Sequence, residues 1–240
     1  MCCKEVLLIF SNIYSIIILT NILHIRVYAV IMLRIEVRLM NNEIFEQIKA
    51  VFIKNNGYAS TAELSALGIN RFYVSELRKN YIIEQVKTGL YKWHNHDYDY
   101  DFELVEVQRI IPSGVLCLKS ALAFHGLTTY NPWQYEVAIE RSSKVSIPNY
   151  PPIKVVFFSM SLYELGIMEI DIAGHKVKVY DLEKTICDCI RYRNKIGIEL
   201  VKEGLQEYLK RSDRNLEKLL VDAKKCKVQK ILNEYLEVLV

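Results

Sequence analysis

Three residues close to the end of a predicted strand are of the types that metal-dependent nucleases use. Asp181, Glu183 and Lys184 lie close together, and Asp171 lies on the preceding predicted strand. In such enzymes carboxylates hold a divalent ion and a lysine steadies the attacking water. Glu183 and Lys184, however, are adjacent at a predicted helix start, so their side chains point in different directions. We interpret Asp181 and Glu183 as helix-capping and helix-dipole residues, and we expect neither catalytic residues nor enzyme activity.

Histidine and cysteine spacing does not match a known metal or redox motif. His94 and His96 lack a third ligand at suitable spacing, and none of the six cysteines forms a C-x-x-C pair. Cys187 and Cys189 lie two positions apart on a predicted helix, so their thiols diverge. We therefore expect no metal ion and no cofactor, and reduced structural thiols in a cytoplasmic protein.

A stretch of basic residues follows Asn70, which is a good N-cap for a helix over 71–80. At 100° per residue, Tyr73, Val74, Leu77 and Tyr81 fall on one arc of this helix. The opposite arc is polar and basic, with Phe72 at its edge, and it contains Arg71, Ser75, Arg78 and Lys79. One face is thus predicted to pack, and the other to remain free.

This basic face predicts binding to DNA. If the helix lies in a major groove, Arg71 near its start would contact base edges. Arg78 and Lys79 near its end would contact phosphates, and Ser75 could do either. Asn70 and Phe72, at the start of the helix, are further candidate DNA-binding residues. The alternative is a three-helix domain for protein contacts, in which these residues form an ordinary solvated surface.

The elements around this helix match a winged helix. Apolar residues from Ile44 to Phe52 recur with helical spacing and predict a first helix that ends near Gly57. Ser60 and Glu63 have capping-box spacing and begin a short second helix over 62–67, which Gly68 ends. The order of the three helices favours a helix-turn-helix.

Two short strand-like runs follow, over 82–86 and 90–93, and the residues between them form a hairpin turn. A hairpin after a third helix is typical of a wing. Lys87 at its tip and Lys92 on its return strand are candidates for backbone contacts, and Tyr91 is a third candidate DNA-binding residue.

Net charge is only +3, from 31 basic and 28 acidic residues. Affinity for nucleic acid must therefore come from local clusters of basic residues and not from bulk charge. A length of 240 residues allows two domains. We predict a leader over 1–39, a winged-helix DNA-binding domain over 40–93, a polar linker over 94–100 and a mixed α/β domain over 101–240.

The leader over 1–39 is rich in Ile, Leu and Val but also contains several polar residues. It has no A-x-A-like cleavage site, so we do not expect a signal peptide. Three interpretations stay open: a misassigned start before Met40, a disordered extension, and a membrane anchor that leaves the rest of the chain in the cytoplasm.

In the second domain, strands are predicted over 115–118, 135–140, 153–159, 167–172 and 176–180. Helices are predicted over 102–111 and 120–125, and Asp181 is predicted to cap a third, ending near Arg193. Two more helices finish the chain. The predicted fold class is therefore α+β, with a winged helix-turn-helix domain followed by a mixed α/β domain that ends in helices.

Two segments of this domain resemble the signature blocks of AbiEi antitoxins, which belong to abortive-infection, type IV toxin–antitoxin systems. The blocks are KSALAFHGLTTYNPWQYEVAI (119–139) and VKVYDLEKTICDCIRYRNKIG (177–197). The segment LRKNYIIEQVKTGLYKW (77–93) is similar to the third helix and wing of that family. The resemblance covers roughly residues 40–210 and leaves out the leader.

This resemblance implies an autorepressor that binds inverted repeats in its own promoter and associates with itself on DNA. It also implies a second domain that counters a cognate nucleotidyltransferase toxin without a stable complex. Arg191, Arg193 and Lys195 in the helical end are candidates for a second nucleic-acid surface. The alternative function is a metal-dependent nuclease or nucleotide-processing enzyme with a winged-helix targeting domain.

Overall fold

The computed structural model describes residues 42–94, 102–172 and 174–239. They form two compact units, divided between His96 and Asp97, within the segment predicted as a linker. The described residues contain eleven helices and two sheets, which confirms the predicted mixture of helices and strands. None of these helices is long and apolar enough to cross a membrane. The leader over 1–39, with its alternative as an anchor, lies outside the described residues.

The first unit contains three helices and a three-stranded sheet. In chain order these are α1 (Asn42–Lys54), β1 (Tyr58–Ser60), α2 (Thr61–Ala66), α3 (Arg71–Lys79), β2 (Ile83–Lys87) and β3 (Leu90–Trp93). The sheet has the order β1-β3-β2, and both pairings are antiparallel. The predicted helices and hairpin are confirmed to within about two residues. Strand β1 was not predicted, because three residues are too few to show an alternating pattern.

Helix faces and the inner side of the sheet form the core of this unit. Ile48 and Phe52 of α1 are buried, and so are Val74 and Leu77 of α3. The Trp93 ring lies 5.2 Å from that of Phe52, edge to face. The prediction that Tyr81 packs with this face is wrong. Helix α3 ends at Lys79, and Tyr81 has a positive φ of 54° and is 82% exposed.

The second unit is built on a five-stranded mixed sheet in the order β6-β5-β4-β8-β7. Its strands are β4 (Val115–Leu116), β5 (Tyr135–Glu140), β6 (Ile153–Phe158), β7 (Ile167–Ile172) and β8 (His175–Tyr180). The pairs β5/β6 and β4/β8 are parallel, and β4/β5 and β7/β8 are antiparallel. Helix α4 (Phe102–Ile110) precedes the first of these strands, and α5 (Leu118–Phe124) and α6 (Met160–Tyr163) lie between strands in the chain.

Strand β4 is shorter than predicted. Leu118 was assigned to the strand, but it has a positive φ of 48° and begins α5. The backbone therefore turns sharply after Cys117, whose N–H donates to the carbonyl of Glu136 at 2.9 Å.

Five helices complete the unit: α7 (Leu182–Arg191), α8 (Arg193–Ile196), α9 (Ile198–Lys210), α10 (Leu216–Lys225) and α11 (Gln229–Leu239). The prediction of two helices after α7 is wrong, since four follow it. Gly197, with φ 100°, separates α8 from α9, and the side chain of Asn215 caps α10 by accepting from Lys218 N. Helix α7 lies at the centre, with eight of its ten residues buried.

Candidate nucleic-acid interface

The start of α3 is fixed by its predicted cap. Asn70 Oδ1 accepts from the backbone N–H of Phe72 at 3.0 Å and so satisfies one of the free donors of the first turn. Val74 and Leu77 turn into the core, whereas Arg71, Ser75 and Arg78 are exposed. Packing of the apolar face thus fixes which side of α3 is presented to solvent.

Helix α2 is held in place before α3 by the predicted capping box. Ser60 Oγ accepts from Glu63 N at 3.1 Å, and Glu63 Oε2 accepts from Ser60 N at 2.6 Å. Glu63 Oε1 also accepts from Asn55 Nδ2 at 3.1 Å, which connects α2 to the end of α1. The chain then turns at Gly68, whose φ of 73° suits glycine.

A two-residue turn, Thr88-Gly89, joins β2 and β3, and this hairpin is anchored to α2. The carbonyl of Gly89 accepts from Thr61 N at 2.8 Å. A Cβ at position 89 would lie 3.3 Å from Thr61 Oγ1, and φ there is 79°. Both the turn and its close approach to α2 therefore suit glycine. The hairpin is consequently short and held against the body of the unit.

A groove of about 420 Å³ lies between the exposed face of α3 and this hairpin. We call it the α3 groove. From α3 it is lined by Arg71, Ser75 and Arg78, and from the hairpin by Gln85, Thr88 and Tyr91. The structure thus brings four of the predicted DNA-binding residues into one concave surface with two arginines and several hydrogen-bonding groups.

Two other candidate DNA-binding residues of α3, Phe72 and Lys79, are not among the residues that line this groove. Lys79 is 68% exposed at its side chain, and its Nζ lies 2.7 Å from Glu76 Oε1. Phe72 is 63% exposed, with its ring 5.7 Å from that of Tyr73. The positive charge of Lys79 is therefore partly offset within its own helix, and Phe72 presents an apolar surface beside the cap residue Asn70.

The hairpin lysines lie in the predicted elements, Lys87 next to the turn and Lys92 on the return strand, but neither is among the residues that line the α3 groove. Lys87 is the last residue of β2 and is half-buried, and burial lowers the pKa of its ammonium group. Lys92 adjoins Tyr91 in β3, so its side chain points to the opposite face of the sheet from the groove. Its Nζ lies 5.7 Å from the ring centre of Tyr58. Of the candidates on β3, Tyr91 alone lines the α3 groove.

The three candidates for a second nucleic-acid surface contact their own unit. Arg191 Nη1 donates to the carbonyl of Cys226 at 2.8 Å, and Arg193 Nη1 donates to that of Ile190 at 3.2 Å. Lys195 Nζ lies 5.5 Å from the ring centre of Tyr192. Each arginine thus satisfies a carbonyl near a helix end, which is a structural role that the sequence analysis did not foresee.

The acidic residues that suggested a nuclease surround a lysine from a distant helix. Asp181 caps α7 as predicted, since its Oδ1 accepts from Lys184 N at 2.9 Å. Lys218 Nζ of α10 lies 2.7 Å from Asp181 Oδ2, 3.2 Å from Glu183 Oε2 and 3.1 Å from Asp222 Oδ2. Burial lowers the pKa of Lys218, but hydrogen bonds to Asp181 and Asp222 outweigh it, so the net pKa is raised. These carboxylates therefore hold an ammonium group.

Lys184 is occupied as well. It is fully buried, forms an ion pair with Asp188, and lies over the rings of Phe158 and Tyr180 at 4.7 and 4.3 Å from their centres. Burial raises the pKa of Asp188 to about 6, even though Lys184 lowers it. The described residues include no cluster of three His, Cys, Asp or Glu side chains that could hold a metal ion. Cys117, Cys187, Cys189 and Cys226 are buried free thiols.

No protein-family model matches this chain, and no curated protein matches it. Among solved structures, the chain is similar to the crystal structure of the RV2827C protein from Mycobacterium tuberculosis, with a TM-score of 0.51 and 12% sequence identity. That match covers 77% of this chain and 75% of the other. The similarity shows a shared mixed α/β fold. The AbiEi resemblance accordingly rests on the quoted sequence blocks.

Proposed function

We propose that this chain is a cytoplasmic DNA-binding transcriptional autorepressor that also acts as the antitoxin of a type IV, phage abortive-infection operon. Its first unit would act as a winged helix on promoter DNA with inverted repeats. Its second unit would counter a cognate nucleotidyltransferase toxin. The observation that supports DNA binding most directly is the α3 groove, where Arg71 and Arg78 face the hairpin across one concave surface.

The order of elements in the first unit supports this role. A helix, a strand, two helices and a hairpin follow one another, and the turn at Gly68 separates the second helix from the third. In helix-turn-helix proteins the helix after the turn enters the major groove with its first residues at the base edges. Arg71 is the first residue of α3, so its guanidinium would contact a base pair if α3 enters the groove in this way.

Other residues of the face are suited to the DNA backbone. Arg78 lies two turns further along α3 and lines the same groove, and Ser75 lies between the two arginines with an exposed hydroxyl. Because Ser75, Arg78 and the hairpin lysines give few phosphate contacts, we expect one unit to bind weakly. Two molecules on an inverted repeat would supply the missing affinity, as in other dimeric helix-turn-helix proteins.

The antitoxin role comes from the sequence resemblance alone. The two blocks pack near each other in the second unit. The block over 119–139 supplies most of α5 and β5, and the block over 177–197 supplies β8, α7 and α8. Strand β4 pairs with both β5 and β8, so the blocks meet in one core. Much of the resemblance therefore lies in residues that maintain the fold.

An electrophoretic mobility shift of the full chain on its own promoter DNA, with scrambled DNA as competitor and a salt titration, tests the DNA-binding proposal. We expect stepwise, specific complexes whose affinity falls steeply with salt. The double variant Arg71→Glu/Arg78→Glu should abolish the shift. Its matched control is Lys224→Glu/Lys227→Glu, which makes the same charge change at exposed residues of the second unit.

Equal loss of binding in the two variants would show that net charge and not the α3 groove determines affinity. No preference for the promoter over scrambled DNA would contradict the autorepressor proposal. Co-expression with the toxin encoded alongside tests the antitoxin role separately, because the Arg71→Glu/Arg78→Glu variant should still protect cells when both genes are expressed from a foreign promoter.

A further inference from the structure

A second concave site lies in the second unit, between α4, α5 and the loop that leads to β5. Its volume is about 460 Å³, within the range of roughly 300–1,000 Å³ that is usual for ligand pockets. We call it the Trp133 pocket. The residues that matter here are a carboxylate, three aromatic rings and one amide: Glu103, Phe124, Trp133, Tyr135 and Asn131.

The aromatic rim of this pocket is unusually open to solvent. Trp133 is 72% exposed and Phe124 is 39% exposed. Tyr150, whose hydroxyl reaches the same carboxylate, is 60% exposed. Large apolar side chains in such positions usually mark a surface that another molecule covers. Their exposed ring faces offer an electron-rich lining to a cation.

Glu103 is oriented by two tyrosines. Tyr135 donates from its hydroxyl to Glu103 Oε2 at 2.9 Å, and the Tyr150 hydroxyl donates to Glu103 Oε1. A carboxylate has about four acceptor positions, two on each oxygen. Each oxygen therefore keeps one position after its tyrosine is bound. Two such positions, one on each oxygen, are what a guanidinium group needs for a paired, fork-like contact.

The charges around the pocket favour a cation over an anion. No lysine or arginine is among the described residues that line it. Lys119 adjoins the lining residue Ser120, and Lys154 follows the lining residue Pro152 by two positions. Their ammonium groups lie 3.8 and 3.0 Å from the buried carboxylate of Glu136. A nucleotide would bring its phosphate towards Glu103 with no basic side chain in the lining to offset the repulsion.

From this arrangement we infer that the Trp133 pocket binds an arginine side chain of a partner protein. The guanidinium pairs with both oxygens of Glu103, and its plane stacks on Trp133, which is exposed enough to receive it. Arginine suits the site better than lysine, because its planar group both stacks on aromatic rings and forms two parallel hydrogen bonds to a carboxylate. The inference does not depend on whether the first unit binds DNA.

The test uses the full chain and the tripeptide acetyl-Gly-Arg-Gly-amide. Since the chain has two tryptophans, a ¹⁵N spectrum contains two indole N–H signals, and Trp133→Phe assigns them. We expect the peptide to shift the Trp133 signal in a saturable way and to leave the Trp93 signal unchanged. The same peptide with citrulline, which has the shape of arginine but no charge, should bind at least about tenfold more weakly.

Glu103→Gln should reduce binding of the arginine peptide to the level of the citrulline peptide, whereas Glu199→Gln should have no effect, since that carboxylate is exposed on α9. Trp133→Ala, a change at an exposed residue, gives a second variant that does not depend on the tyrosine contacts. Equal binding of the arginine and citrulline peptides would overturn the inference. So would a shift of the Trp133 signal by guanosine monophosphate but not by the arginine peptide.

Discussion

Helices α3 and α7 begin alike and lie in opposite environments. Each has an acidic or amide N-cap, Asn70 for α3 and Asp181 for α7, whose side chain accepts a backbone N–H of the first turn. Each also carries charged residues along its length. Only two residues of α3 are buried, whereas eight of α7 are, including Glu183, Lys184 and Asp188. Similar local sequence features thus occur both in a helix at the surface of its unit and in a helix at the centre of a core.

The difference in burial between the two helices follows from whether their charged side chains form ion pairs within the unit. The charges of α7 are satisfied by side chains within the unit, as Lys184 pairs with Asp188 and Glu183 with Lys218. On α3, Arg71 and Arg78 line an open groove. Burying a charge costs several kcal/mol unless it is paired. A helix can therefore be central only if the rest of the chain supplies its partners.

The largest effect should come from breaking the buried ion pair of α7. Asp188→Ala removes the group that accepts a hydrogen bond from the buried Lys184 ammonium, and we expect a loss of about 3 to 5 kcal/mol in the free energy of unfolding of the second unit. Urea unfolding with pulsed hydrogen exchange, which reports each unit separately, measures this loss.

The matched control is Glu199→Ala. It also removes a carboxylate from a helical ion pair, but this carboxylate is 89% exposed and lies 3.4 Å from Lys202. The control should cost less than about 1 kcal/mol. The double variant Lys184→Met/Asp188→Ala should recover part of the loss. If it is no more stable than Asp188→Ala alone, the cost does not come from an unpaired lysine.

In contrast to the buried ion pair of α7, an exposed charge of α3 should contribute to DNA binding and not to stability. Arg71→Ala should weaken operator binding by about 1 to 3 kcal/mol and relax the preference for operator over scrambled DNA, because a base contact is lost. Lys87→Ala should weaken binding to both sequences about equally and lower the salt dependence by about one ion. Quantitative titrations on both DNAs give the comparison. If the two variants behave alike, the roles of α3 and the hairpin are wrongly assigned.

Much of α3 could be predicted from sequence, and little of the environment of α7. The packed face of α3 follows from the spacing of Val74 and Leu77, and its cap from Asn70, because these signals lie within one helix. Burial of Lys184 depends on rings from two strands, at Phe158 and Tyr180. No local pattern identifies them as neighbours of a lysine.

The candidate sites differ in the same respect: the basic face of α3 could be predicted from the sequence, whereas the Lys218 cluster and the Trp133 pocket could not. The basic face of α3 was accessible to sequence reasoning because the residues that form it lie within nine positions. The three carboxylates around Lys218 come from two segments some forty residues apart, and the ion pairs could not be seen without the fold. The same holds for the Trp133 pocket, where Glu103 and Trp133 come from separate elements.

The two helix caps give a smaller and more direct comparison. Asn70→Ala removes one hydrogen bond at an exposed helix start, and we expect a loss of about 1 kcal/mol in the stability of the first unit. Asp181→Ala removes an equivalent bond and also the contact of 2.7 Å with Lys218 Nζ, so its cost to the second unit should be about 2 kcal/mol or more. Asp181→Asn, which keeps the cap but not the charge, should fall between them. Hydrogen exchange in urea measures all three. Equal losses for Asn70→Ala and Asp181→Ala would show that Lys218 adds nothing to the cap.

The smallest effect should be the pH dependence that Asp188 gives to the second unit. Its pKa is raised to about 6 in the folded protein by burial, whereas an unfolded aspartate titrates near about 4. Between these values the folded state binds more protons than the unfolded state, so stability rises as pH falls. Between pH 7 and pH 5.5 the gain should be at most on the order of 1 kcal/mol. The difference in unfolding free energy between the natural protein and Asp188→Asn, measured across this window, isolates the contribution of Asp188 from other titrating groups. A difference that does not change with pH would mean that Asp188 stays ionised throughout, and that the ion pair with Lys184 outweighs the cost of its burial.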